Sequence, residues 1–178
     1  MPTIGGQVIL PGEDAIGPRD QRAAEERSDV LVFETTPLEK AVTVIGPLRA
    51  RLFVSSDCPD TDFTAKLTDV FPDGESRLLS DGILRMRYRD SDVKTELMEP
   101  GKIYEITVDA MDTANTFLPG HKIRLSISSS NFPRFNRNSN TGGDISFEPA
   151  EAYRPATNRV YHDDGHPSCI LLPVVDDR

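Results

Sequence analysis

The stretch Lys122-Ile123-Arg124-Leu125-Ser126-Ile127-Ser128 places an apolar side chain at every second position, with lysine, arginine and serine holding the other parity. Successive side chains of an extended chain point to opposite faces, so this spacing describes a half-buried strand and no helix has that period. The same alternation recurs outward in both directions. Leu48, Ala50, Leu52 and Val54 alternate with Arg49 and Arg51, and Leu84, Met86 and Tyr88 with Arg85, Arg87 and Arg89. Both read as strands with one wet face. Phe63, Ala65 and Leu67 stand against Thr64, Lys66 and Thr68, and Tyr104, Ile106 and Val108 against Glu105, Thr107 and Asp109.

Two runs are apolar on both parities, Val30 to Phe33 and Cys169 to Val175, the second interrupted by Pro173. They suit strands covered on both sides or terminal strands bridging two layers, and Pro173 favours an edge because it cannot donate to a ladder. Turn signals separate the strands: Pro72-Asp73-Gly74, Ser80-Asp81-Gly82, Glu99-Pro100-Gly101, Leu118-Pro119-Gly120 and Asn140-Thr141-Gly142-Gly143. About eight short strands with no βα alternation predict an all-β fold, an antiparallel two-sheet sandwich of which the jelly roll is the eight-stranded form.

Composition agrees. Fourteen prolines and twelve glycines among 178 residues leave no room for a long helix. The one helical candidate is Arg19 to Arg27, one or two turns with little apolar face. Twenty basic against 29 acidic residues give a net charge of −9, which repels phosphate and anionic lipid and makes nucleic acid and membrane surfaces poor partners. No apolar run reaches the roughly 20 residues of a bilayer span. The only apolar patch near the amino terminus is Val8 to Leu10, with no basic region before it, so the expectation is a cytoplasmic protein without a secretory signal.

Chemistry is sparse. A G-x-S-x-G nucleophile elbow is absent, and Thr141-Gly142-Gly143-Asp144 lacks the spacing of a phosphate loop. His162 and His166 stand four apart beside Asp163 and Asp164, a zinc spacing on a helix, but Gly165 and Pro167 make a loop the better reading. His121 reads as a turn histidine bonding nearby backbone. Asp57, Asp60 and Asp62 could offer hard oxygens to calcium, yet the EF-hand glycine and glutamate are missing and turn carboxylates are preferred. Cys58 and Cys169 read as ordinary small core residues rather than a disulfide or metal pair. No metal or cofactor is expected. In the loop Ser128 to Gly143, Phe132, Arg134, Phe135, Arg137 and Asn138 either anchor a partner or pack on their own domain.

Several ordered strings carry a resemblance. Ser55-Ser56-Asp57-Cys58-Pro59-Asp60-Thr61-Asp62-Phe63, Leu67-Thr68-Asp69-Val70-Phe71-Pro72-Asp73-Gly74 and Gly82-Ile83-Leu84-Arg85 are followed by Pro119-Gly120-His121-Lys122-Ile123-Arg124-Leu125 and Ser129-Ser130-Asn131-Phe132-Pro133-Arg134-Phe135. Val160-Tyr161-His162-Asp163, His166-Pro167-Ser168 and Leu172-Pro173-Val174-Val175 complete the series, and Pro2-Thr3-Ile4-Gly5-Gly6 looks like a segment leaving a preceding domain. Together they resemble the carboxy-terminal domain of the cocaine esterase-like (CocE/NonD) hydrolases, a family that includes X-Pro dipeptidyl-peptidases and α-amino acid ester hydrolases.

That resemblance implies a jelly roll of galactose-binding-like type. It places the Ser-His-Asp triad in a preceding α/β-hydrolase domain, so no catalytic residue is carried over. The implied role is a non-catalytic accessory domain of a serine-type acyl or peptide hydrolase, scaffolding the catalytic domain and its substrate cleft, inactive on its own. The implied partners are that α/β-hydrolase catalytic domain, in cis or in trans, and a homo-oligomer, because the jelly roll takes part in oligomer contacts in several members. A free-standing galactose-binding-like module for carbohydrate or protein is the alternative, and the absence of tryptophan counts against sugar stacking. The expected organisation is a lead-in segment over residues 1–28 and a single sandwich domain over 29–178.

Overall fold

The computed structural model describes residues 17–175, so Pro2 to Gly6 and Val8 to Leu10 lie outside the described residues. The chain forms α1 (Arg22–Glu25), β1 (Leu31–Glu34), β2 (Val42–Ser56), β3 (Asp62–Val70), β4 (Ser76–Arg85), β5 (Tyr104–Phe117), β6 (Lys122–Ser128), β7 (Asn158–Tyr161), β8 (Cys169–Leu171) and β9 (Val174–Val175). Single 3-10 turns occupy Met86–Tyr88 and Ala150–Ala152. Two antiparallel sheets result. One has the order β1-β6-β3-β4; in the other, β2 is flanked by β5 on one edge and by β7, β8 and β9 in succession on the other.

The alternation that marked the strands also sorts them into the core. Ile123, Leu125 and Ile127 of β6 and Phe63, Ala65 and Leu67 of β3 are buried against Leu48, Ala50, Leu52 and Val54 of β2 and Ile106 and Val108 of β5. Each large side chain so buried stabilises the fold by about 1.5–3 kcal/mol.

Along one side the two sheets touch. Gly82 does not turn the chain as its sequence context suggests; it pairs with Ala65 inside β4. A Cβ there would lie 1.9 Å from the backbone oxygen of Asp109, so only glycine lets β4 rest on β5. Ser80 Oγ donates to the Ala110 carbonyl beside it. Opposite Leu48, β5 carries the two bulge residues Ala110 and Met111, the latter at φ +65°.

Two sequence expectations change. The Leu84 to Arg89 alternation does not continue as a strand, because β4 ends at Arg85 and Met86 turns the chain so that Arg87 reaches Asp60. Nor does β3 have a wet face: all nine of its residues are buried. Residues 19–21 run along the outer edge of β4, with Gln21 N donating to Ser76 O and Leu78 N to Arg19 O. From α1, Glu25 accepts from Ser76, Arg124 and Ser126, and Gln21 Oε1 accepts from Lys66 Nζ at 3.2 Å. The polar parity of β3 is thus sealed under a hydrogen-bonded layer. Burial pushes the Lys66 ammonium below its usual range.

On the opposite side the sandwich gapes. All four residues of β1 are exposed, as are Leu171, Val174 and Val175 of β8 and β9. Of the two readings of these doubly apolar runs, covered on both sides or terminal strands bridging layers, the first does not hold within this chain: both lie at sheet edges and are exposed.

Candidate partner interface

The loops at one end of the sandwich are held by buried ion pairs. Asp60 and Asp62 come from the β2–β3 corner, where the chain turns sharply and buries both carboxylates. Asp60 Oδ2 accepts from Arg87 Nε at 2.8 Å and Asn138 Nδ2 at 2.9 Å, while its Oδ1 accepts from the Arg87 backbone N at 3.0 Å. Asp62 accepts from Arg85 Nε at 2.9 Å, Arg85 Nη2 at 3.1 Å and Asn138 Nδ2 at 2.7 Å. Burial pushes the Asp62 carboxyl above its usual range, against the pull of Arg85 and Asn138. The same guanidinium groups hold loop carbonyls, Arg85 to Asn136 O at 3.0 Å and Arg87 to Gly143 O at 2.8 Å.

A third buried carboxylate, Asp81 of β4, accepts from Asn131 Nδ2 at 2.5 Å and pairs with the Arg134 guanidinium. Arg134 also lies over the Phe135 ring at 5.1 Å. Arg134, Phe135 and Asn138 therefore serve the loop's own attachment. Phe132 and Arg137 are different. Arg137 is an exposed residue, and its guanidinium sits over the rings of Phe132 at 5.3 Å and Tyr153 at 5.6 Å. It has no carboxylate partner among the described residues. Tyr153 joins this cluster from 16 residues away, and no spacing in the sequence announces it.

Phe132 and Arg137 rim a cleft of about 620 Å³ that also takes in Arg27, Ser129 and Asn158. Asn158 Nδ2 donates to Ser129 Oγ at 2.6 Å and Thr61 Oγ1 at 2.9 Å, whereas its buried Oδ1 has no hydrogen-bond partner among the described residues. A second cleft of about 240 Å³ opens between the sheets, walled by Phe33, Leu52, Leu125, Ile127, Val160 and Ile170.

The remaining candidates scatter. His121 does not rely on nearby backbone for its ring: Nδ1 lies 2.9 Å from Asp69 Oδ1 on β3, with the Phe71 ring tilted against it at 4.4 Å. His162 meets Phe33, whereas His166 meets Phe53 and Tyr161 and lies 3.1 Å from Asp163. Asp57 accepts from Thr157 N at 2.8 Å, and that hydrogen bond holds its carboxyl below the usual range. Cys58 is buried and Cys169 half-buried, both as free thiols, and burial raises the Cys58 pKa. Among the described residues no group of three or more His, Cys, Asp or Glu side chains is placed to hold a metal ion.

Comparison with known proteins sets this geometry in context. The chain is 51% identical over 175 residues to the cocaine esterase of Rhodococcus sp. (strain MB1 Bresler), a match that covers 98% of this chain and 30% of the esterase. Its fold superposes on an aminopeptidase from a marine sediment Thaumarchaeota archaeon with TM-score 0.86 and 37% identity, covering 89% of this chain and 28% of that one. For an α-amino acid ester hydrolase the TM-score is 0.85 at 33% identity, covering 89% and 27%. The chain thus spans less than a third of the length of each. The family described as the X-Pro dipeptidyl-peptidase C-terminal non-catalytic domain matches residues 7–171. That span is nearly the whole chain, two-sheet sandwich and loop network included, and the chain belongs to this family of non-catalytic domains.

Proposed function

We propose that this domain scaffolds the catalytic domain of a serine-type acyl or peptide hydrolase and forms part of the wall of its substrate cleft. The observation that carries the reading is the Phe132-Arg137 pair, backed by Tyr153 and presented at the rim of a cleft by a loop that buried ion pairs hold in place. Aromatic and arginine side chains on a pinned loop have the chemistry of interface anchors and lose little conformational entropy when they engage. In that role the domain supplies shape and exclusion of water, and the reacting groups belong to its partner. A cytoplasmic setting is part of the proposal and is in keeping with two free thiols.

The test replaces the matching part of the Rhodococcus cocaine esterase with this chain. The chimera should hydrolyse ester substrates where the truncated esterase does not. Phe132→Ala combined with Arg137→Ala should then lower kcat/KM about tenfold, equivalent to about 1.4 kcal/mol of transition-state stabilisation, with the thermal midpoint unchanged. A chimera as inactive as the truncated enzyme overturns the accessory role, and a double variant with full activity overturns the cleft wall.

A further inference from the structure

The two clefts draw their linings from the same segments and together are called the trough. Ile127 lines the apolar cleft and its neighbour Ser128 the polar one; Val160 and Asn158 divide in the same way along β7, and Phe33 and Val30 along the opposite wall. The trough follows the open side of the sandwich, with residues 27–35 on one bank and the β7–β8 edge on the other. We infer that this trough is the seat of the catalytic part that accompanies the domain in its relatives. It receives there a chain segment with apolar side chains at one end and, at the other, a carboxylate for Arg137 and a hydrogen-bond donor for Asn158. The inference rests on the accessory role proposed above and names the surface through which that role is exercised.

Four observations converge on this occupant. First, the banks are apolar on both parities yet uncovered: Leu31 is 43% exposed, Leu171 51% and Val174 55%. This surface extends beyond the cleft itself, which suits a protein better than a small molecule. Second, β1 pairs only with β6, so its outer edge of N–H and C=O groups is unpaired among the described strands, a feature that isolated domains usually blunt. Third, among the described residues the polar end holds a buried amide oxygen without a partner and a guanidinium without a carboxylate, in a chain that carries nine surplus negative charges. Fourth, the relatives carry about 70% of their length outside this domain, and the family is described as C-terminal and non-catalytic. A second copy of this chain is disfavoured, because two bodies of charge −9 repel.

Hydrogen exchange tests the inference on the isolated chain and on the esterase chimera. In the chimera, the amides of residues 31–35 and 169–175 should exchange at least about tenfold more slowly, and alkylation of Cys169, which lines the apolar cleft, should slow in parallel. Mixing the isolated chain with the truncated esterase gives the same readout without a fusion. Phe33→Lys alters a position that lines the apolar cleft and is 37% exposed, and should leave the thermal midpoint of the isolated chain unchanged while removing the added protection. An active chimera in which these amides and Cys169 react as fast as in the isolated chain overturns the inference. So does an isolated chain that sediments as a dimer with the trough already protected, since a second copy is then the occupant. A chimera that protects the trough but hydrolyses no ester upholds the docking surface and overturns only the accessory function.

Discussion

Asn138 uses both ends of its amide inside the protein: Nδ2 donates to Asp60 and Asp62, and Oδ1 accepts from Asn140 N at 2.9 Å. Replacing it with leucine keeps the branched shape but strips a donor from two buried carboxylates, at a cost of about 2–3 kcal/mol read as a lower thermal midpoint. Asn138→Asp should cost more, because a third carboxylate would face the other two. Gly82→Ala has a different cause. Its methyl group would collide with the Asp109 backbone rather than with a movable side chain, and about 3 kcal/mol of destabilisation is expected. Thiol chemistry gives an independent check of burial: in the isolated chain a neutral alkylating reagent should modify half-buried Cys169 well before buried Cys58, whose raised pKa also withholds the thiolate.

Among the strands, β1 depends on Glu34, which accepts from Lys122 Nζ at 2.5 Å and from Arg124 Nε at 3.0 Å and so ties the edge strand to β6. The Lys122 and Arg124 hydrogen bonds hold its carboxyl below its ordinary value of 4.5. The folded state then binds this proton less readily than the unfolded chain, so the stabilisation is fully present above about pH 4.5 and fades as pH falls through the lower folded value. Because Glu34 is about a third exposed, the gain is at most ~1 kcal/mol. Glu34→Gln should therefore cost stability at neutral pH and progressively less in acid, as denaturant titrations across that range would register. That β6 is a strand was legible from alternation because one face meets the core and the other does not; its place between β1 and β3 was not. Alternation failed for the outer face of β3, since Gln21 and Glu25, which cover it, lie some 40 residues away and show no period of their own. The ion pairs of Asp60, Asp62 and Asp81 were hidden for a related reason: carboxylates in turn-rich sequence look the same whether solvated or paired with a distant arginine. Phe132 and Arg137 could be singled out as loop anchors, but Tyr153 and Asn158 become their neighbours only once β7 returns to pair with β2.

As a whole the molecule is closed along one side and open along the other, with catalysis assigned to a partner in the proposed function. Its net charge of −9 should make the trough's polar end depend on ionic strength: association of the isolated chain with the truncated esterase should change with salt, and Arg137→Ala should flatten that dependence. An unchanged salt response in the variant would place the charge-sensitive contact elsewhere. The seam where Gly82 lies on Asp109 then matters at a distance. The sheets resemble the covers of a book bound at that seam, and the width at the fore-edge follows from how tightly the spine is sewn. A methyl group at position 82 should widen the gap on the far side and loosen the grip on a partner that never touches the spine. If the trough is the docking surface, docking strength should depend on Gly82, a residue that lines neither cleft.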